Sequence, residues 1–245
     1  MPQYIDLYTK YTSTSALSGD LRSKADRAWT KKYIRKSLGH FLPIDKGASI
    51  LEIGCGFGAC LKSLAELGYS NCSGIDLSDE QIRYAIDVLK LNNVQKVDAI
   101  DFLKTKTNTF NCILALDFLE HFELPDLMVL GKTIVEALKP DGILIVQVPN
   151  GLSPMNPFIY GDLTHVRAFT VKSLQQFFLE INLQPTGFCE TTVYVYNSTS
   201  FYRNLLWKAL IKPILHFFAI VMNGTNGSTI YTANLIGTAK KLMKN

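Results

Sequence analysis

The stretch Glu52-Ile53-Gly54-Cys55-Gly56-Phe57-Gly58 sets three alternate glycines between an apolar run and a helical one, and Asp76 follows eighteen residues after Gly58. Glycines at a strand-to-helix turn let the backbone bend tightly and approach a ligand with no Cβ in the way. A carboxylate closing the next strand can accept both hydroxyls of a ribose, so the pair describes an adenosine site. Dinucleotide sites use G-x-G-x-x-G to bring helix N–H groups against a pyrophosphate. Here the spacing is G-x-G-x-G with Glu52 beside it, and that carboxylate would repel a pyrophosphate. It suits a cofactor that carries an amino group and no phosphate.

These residues need a scaffold, and short β-branched runs alternating with helical periods predict strands joined by crossover helices in a parallel sheet. Strands are expected over Ser49 to Ile53, Cys72 to Ile75, Val97 to Ile100, Cys112 to Leu116 and Ile143 to Val148. Helices are expected over Arg22 to Leu42, Ala59 to Leu67, Asp79 to Leu91 behind Ser78, Pro125 to Leu138, and Val171 to Ile181 behind Thr170. The turn Lys139-Pro140-Asp141-Gly142 precedes the fifth strand, and Asn150 to Tyr160 is a loop. Thr186 to Tyr196 and Ile230 to Lys240 read as an antiparallel pair around an insertion too long for a hairpin. The expected fold class is α/β: a Rossmann-like seven-stranded sheet, five strands parallel plus the antiparallel C-terminal pair, with helices on both faces and a helical insertion before the last strand. Its segments are 1–46 (helical, lid), 47–190 (core), 191–229 (amphipathic insertion) and 230–245 (last strand and tail).

The 245 residues carry 25 Lys/Arg against 21 Asp/Glu, a net charge of +4 that is unevenly spread. Residues 1–46 hold nine cations and four acids, 47–150 eight and fourteen, 151–245 eight and three. An acidic centre between basic ends argues against a nucleic-acid groove across the molecule, and no nucleic acid is expected as partner. With 47% hydrophobic and 19% charged residues, disordered and disulfide-scaffold classes are excluded. Five scattered cysteines without a C-x-x-C pair read as reduced core residues of a cytoplasmic chain, and MPQYIDLYTK lacks the apolar stretch of an export signal. The acids Asp117, Glu120, Glu123 and Asp126 crowd a helix start, where the dipole favours them, and no metal is expected.

Over about 48–180 the sequence resembles the class I S-adenosylmethionine-dependent methyltransferases, which makes S-adenosylmethionine the implied cofactor. The resemblance extends to Phe110 through His121, similar to the family's fourth motif with its ending acid-x-x-Glu-His, and to the turn Leu138 to Gly142. Asn111 departs from the usual Asp, and Asp141 from a common Gly. What it implies for the cofactor is a site of Glu52, Gly54, Cys55, Gly56, Gly58 and Asp76, with Leu77 on the adenine face. Asp101 and Phe102 would meet the adenine after the third strand, Leu116 would close the fourth strand, and Tyr11 would belong to an N-terminal lid with Tyr4 and Tyr8. Packing of those tyrosines on the sheet is the equal alternative. The run Val148-Pro149-Asn150-Gly151, Ser153-Pro154, Tyr160 to Thr170 and Ser173-Leu174 is similar, more narrowly, to methyltransferases of bacterial surface-polysaccharide and glycolipid biosynthesis. That likeness implies O-methylation of a sugar hydroxyl on a polysaccharide, glycolipid or sugar precursor.

A hydroxyl acceptor gains from a base near neutral pKa, and His165 lies on the loop after the fifth strand, where ligands bind in such folds. His165 is the expected base, with Asp162 orienting it or the sugar; tying down the loop is the structural alternative for both. His121 is a third candidate, though Glu-His at that place is so widespread in the family that a structural role is favoured. Two rivals stand beside the sugar reading: methylation of a quinone or natural-product hydroxyl, and a non-catalytic membrane-recruited module of the same fold. Leu116-Asp117-Phe118 does not match the Asn/Asp-Pro-Pro-aromatic signature of amino-methylating enzymes of nucleic acids.

From Thr191 onward there are six Lys/Arg and no acid, and Phe201 to Met222 is mostly apolar, with Asn204, Lys208, Lys212 and His216 at four-residue steps. That interruption argues against a spanning helix. An apolar face with a cationic stripe suits a helix lying in a membrane interface, a peripheral contact with anionic membrane on its inner face. Packing on the sheet or on a second subunit is the equal alternative.

Overall fold

In a computed structural model, the described residues are 30–155, 157–191, 195, 197–224 and 230–243. Tyr4, Tyr8 and Tyr11, and the first part of the expected helix over Arg22 to Leu42, lie outside them. The described end of that helix is α-helical over 30–33 and becomes a π-helical turn at Ile34–Leu38.

Seven strands form one sheet in the order β3-β2-β1-β4-β5-β7-β6. They are β1 (Ile50–Ile53), β2 (Cys72–Asp76), β3 (Val94–Lys96), β4 (Phe110–Leu116), β5 (Leu138–Pro149), β6 (Gln184–Glu190) and β7 (Asn234–Lys240). The first five run parallel, and β7 pairs antiparallel with both β5 and β6. The central strands are apolar almost throughout because helices cover both faces, which leaves no solvent side for alternation to mark.

The connecting helices are α1 (Ala59–Glu66), α2 (Asp79–Asp87), α3 (Ala99–Lys104), α4 (Leu124–Ala137) and α5 (Val171–Glu180). Ser78 caps α2 by accepting from Gln81 N, and Thr170 with Ser173 forms a capping box on α5. Two apolar layers flank the sheet. One packs Leu51, Ile53 and Ile113 against Leu130, Ile134 and Phe178, and the other packs Ile50 and Leu114 against Leu38, Leu61 and Ile82. All five cysteines are free, and Cys55, Cys60, Cys72 and Cys112 are buried.

Phe178 is fully buried and stacks on Phe188 of β6 at 6.1 Å between ring centroids. Phe178→Ala is expected to cost about 3–5 kcal/mol in a urea titration, as a lower midpoint with an unchanged slope. A loss below about 1 kcal/mol would contradict its place in the core.

The third strand departs from expectation. Val97 to Ile100 is not a strand; β3 is the three residues before it, and Asp98 caps α3 by accepting from the amides of Ile100 and Asp101. Helix α2 also ends four residues short of Leu91, and β6 stops at Glu190 rather than Tyr196. The turn at 139–142 is a bulge inside β5, for Leu138 pairs with Phe110 and Ile143 with Cys112.

The insertion after β6 forms the helix α6 (Ser198–Met222), 25 residues long and, against expectation, long and apolar enough to cross a membrane. Its residues Trp207–Ile211 form a π-helical turn. That extra residue rotates the helix, so Trp207 rather than Lys208 shares the half-buried stripe of Asn204, Lys212 and His216.

Candidate active site

The crossovers step outward from β1 to β2 to β3 and then return to β4 on the other side of β1. Where the direction reverses, the two loops diverge and leave a crevice at the carboxyl ends of β1 and β4, the place where open α/β sheets bind ligands. The glycine loop Gly54–Gly58 follows β1, and Asp117 through His121 follows β4.

Gly54 and Gly58 sit at φ of +71° and +78°, where L side chains are strained. A Cβ at Gly54 would stand 2.4 Å from the Phe118 ring, and one at Gly58 2.4 Å from Leu91 Cδ1. The amides of Gly54 and Cys55 bond to Ile75 O, which holds the loop against the end of β2. Asp76 completes the clasp, accepting Gly56 N at 2.9 Å on one oxygen and Ser78 N at 2.8 Å on the other. Burial raises the Asp76 carboxyl and these amide donors oppose the rise. Leu77, the next residue, is 36% exposed at the crevice edge, and Leu116 is half-buried at the end of β4.

Glu52 is 3% exposed, and its Oε2 has no hydrogen-bond partner. Burial lifts its carboxyl to about 8, opposed by the Cys60 thiol and reinforced by the Asp76 carboxylate. An amino group is the donor that this buried acid lacks, and glycine backbone bare of side chains can receive an adenosine, so these residues fit S-adenosylmethionine. The raised value has a consequence for stability. A carboxyl that holds its proton more tightly when folded adds stability that is complete below about 4.5 and is lost as pH rises through about 8. The melting temperature of the cofactor-free protein should therefore fall more steeply over that window than that of Glu52→Gln; equal slopes would contradict the assignment.

Asp101 and Phe102 are not in the crevice. Asp101 is on the outer face of α3, with its side chain 72% exposed beside Lys104, and Phe102 packs against the core with Lys106 over its ring. Because β3 ends at Lys96, the first acid after the third strand is Asp98, whose side chain caps α3.

The structure brings His165, His121 and Glu120 together. The histidine rings meet edge to face at 4.7 Å, and His165 Nε2 lies 3.9 Å from Glu120 Oε1. Glu120 is fully buried, and neither carboxyl oxygen takes a hydrogen bond. Burial and then Asp117 push its carboxyl well above the usual range. His121 is lowered to about 4 by burial and by the neighbouring His165. Its Nδ1 faces Thr164 Oγ1 at 3.0 Å, and that hydroxyl donates to Asp162 Oδ1 at 2.6 Å. Asp162 also accepts Thr164 N, so it shapes the turn that carries His165 and positions His121 through Thr164. Val166 N bonds to Glu120 O and Arg167 Nε to Phe122 O, which docks this loop onto the segment after β4. The ligand atoms of Glu120, His121 and His165 all lie within 4.8 Å of one another, a set able to hold a divalent cation, with His165 supplied from far along the sequence.

Sequence reasoning missed a second polar group. Gln147 of β5 donates to Asp117 Oδ2 at 2.7 Å and accepts from Tyr33 OH, while Asn234 Nδ2 reaches Asp117 Oδ1 at 3.4 Å. Asn150 is buried and donates to the carbonyls of Ile230 and Thr232. The signal was available: Gln147 is the one polar side chain in the run Ile143 to Val148.

A seven-stranded sheet of this order, with a glycine clasp and a carboxylate after β2, defines a Rossmann-like S-adenosylmethionine-dependent methyltransferase, and S-adenosylmethionine is its methyl donor. The chain belongs to the methyltransferase domain family, whose sequence pattern matches residues 22–186. It is similar to the ubiquinone biosynthesis O-methyltransferase of Neisseria meningitidis, 25% identical over 141 residues, 51% of this chain and 58% of that protein. It is also similar to the 2-methyl-6-phytyl-1,4-hydroquinone methyltransferase of Synechocystis, 24% identical over 184 residues, 68% of this chain and 56% of that one. The chain thus spans little more than half the length of these curated relatives. Among solved structures, a SAM-dependent methyltransferase from Archaeoglobus fulgidus superposes with a TM-score of 0.61 at 19% identity, covering 97% of this chain and 100% of its own. The [4+2]-cyclase SpnF superposes at 0.60 and 19% identity, covering 98% of this chain and 94% of its own. The shared fold therefore does not by itself dictate the reaction.

Proposed function

We propose that this methyltransferase methylates a hydroxyl of a quinone-type aromatic acceptor, with His165 as the proton acceptor. The observation that carries this reading is the loop that holds His165: Leu152, Met155, Tyr160, Leu163 and Val166 are exposed large hydrophobic side chains, Leu163 fully so. A sugar site needs hydrogen-bond donors and acceptors there, whereas a ring with an apolar tail suits such a surface. The curated relatives support the same class, since their names concern ubiquinone and a phytylhydroquinone, and the sugar acceptor expected from sequence finds no support among them.

S-adenosylmethionine supplies a methyl group on a positively charged sulfur, a good leaving group. The protein must align the acceptor oxygen, exclude water and take the hydroxyl proton. A phenolic hydroxyl, with an ordinary pKa of about 10, is within reach of a neutral imidazole. His165 takes that proton, its loop held in place where Val166 N bonds to Glu120 O and Arg167 Nε to Phe122 O. Incubation with S-adenosylmethionine and a series of dihydroxybenzenes, with and without an isoprenoid tail, tests this by mass of product. Methyl ethers should form, faster with the tail. Transfer to monosaccharides or glycolipids and not to phenols would overturn the reading.

A further inference from the structure

The helix α6 is seated on the domain along a narrow stripe and is bare elsewhere. No part of its most apolar window is buried, and Phe201, Leu206, Phe217, Val221 and Met222 are each more than half exposed. Single exposed hydrophobic residues are ordinary; a helix bare over most of its circumference is not. What it turns toward the domain mixes Trp207, Leu215 and Ala219 with polar anchors: Lys212 Nζ lies 3.0 and 3.1 Å from the two carboxyl oxygens of Glu190, and His216 Nδ1 lies 3.4 Å from Tyr231 OH. Of the stripe expected to meet lipid headgroups, Asn204, Lys212 and His216 thus face inward and Lys208 stays exposed, while most of the apolar surface faces out.

We infer that α6 lies in the surface of a bilayer bearing anionic headgroups and holds the mouth of the crevice against it. Charge selects that occupant: residues 191–245 contain six Lys/Arg and no acid, and Arg203 and Lys208 are exposed on the helix. At 1.5 Å per residue the helix is about 37 Å long, enough to cross the hydrocarbon. Lys212, two residues past its midpoint, is pinned to Glu190 at the end of β6, so crossing would drag that ion pair and the sheet edge into the hydrocarbon. Lying flat keeps the pair at the surface and buries the outer face.

Register sets where the crevice stands. Glu190 pairs with Leu235, and Leu235 with Val148, which places the point where Lys212 pins α6 near the carboxyl edge of β5. Asn150 and the loop of His165 leave the sheet at that same edge. The inference rests on the helix and holds for any acceptor.

Sedimentation of the full chain with vesicles tests it without acceptor. The protein should pellet with phosphatidylcholine mixed with phosphatidylglycerol, and less so at high salt or with phosphatidylcholine alone. The double variant Phe217→Asp/Val221→Asp, altered only at exposed positions, should partition more than about 100-fold more weakly while binding S-adenosylmethionine as before. Failure of the intact protein to bind either vesicle, or equal binding by the variant, would overturn the inference. So would a dimer in light scattering that the variant converts to monomer without any vesicle binding, which would make the face a contact between two copies.

Discussion

His165→Ala is expected to lower turnover by about 10²–10⁴-fold, the usual contribution of a positioned base, and to leave S-adenosylmethionine affinity unchanged. The two effects separate because His165 stands on the loop after β5, held at Glu120 and Phe122, whereas the cofactor clasp is built from β1 and β2. Residual turnover should climb with pH, as the acceptor's own ionisation replaces the base. His121→Ala should cost less. Lowered to about 4, that ring stays neutral through the neutral range and serves to position its neighbour rather than to carry the proton. Near-normal turnover of the His165 variant would remove the base assignment, and weakened cofactor binding would show that the loop shapes the cofactor site instead.

Asp76→Ala is expected to weaken S-adenosylmethionine binding by more than about 100-fold. The carboxylate makes two hydrogen bonds to loop amides, each of about 1 kcal/mol or more, and is the acceptor that ribose hydroxyls would use. Calorimetric titration reads the loss directly, and Asp76→Asn should fall between, because one of its two polar atoms is a donor facing an amide. Affinity within about threefold of the unaltered protein would mean that the glycine backbone alone holds the nucleoside.

The cofactor clasp was legible in the sequence because backbone geometry dictates it. At Gly54 and Gly58 the positive φ strains an L side chain and a Cβ would strike Phe118 or Leu91, so glycine at this spacing marks the turn. The third strand was misread for an equally physical reason. Strand β3, Val-Gln-Lys, has one apolar side chain and sits at the sheet edge, so it leaves little periodicity to detect. Ile100 and Leu103 are buried by α3, yet six residues are too few to separate a helix from a strand by pattern. The contact of His165 with Glu120 joins two loops far apart in the chain, which spacing cannot reveal. Likewise the π-helical turn at Trp207–Ile211 has no compositional mark, and it redirected a stripe drawn at four-residue steps. The acceptor was the hardest to read. The run from Val148 to Thr170 suggested a sugar, and the exposed apolar side chains around His165 argue for a ring with a greasy tail.

Transfer of labelled methyl from S-adenosylmethionine into fractionated host extract tests the central claim most directly, with quinones, glycans and glycolipids, small metabolites and RNA counted separately. Label in the quinone fraction, lost on His165→Ala, is the predicted result. Label confined to the glycan or glycolipid fraction would contradict it and return the acceptor to a sugar hydroxyl.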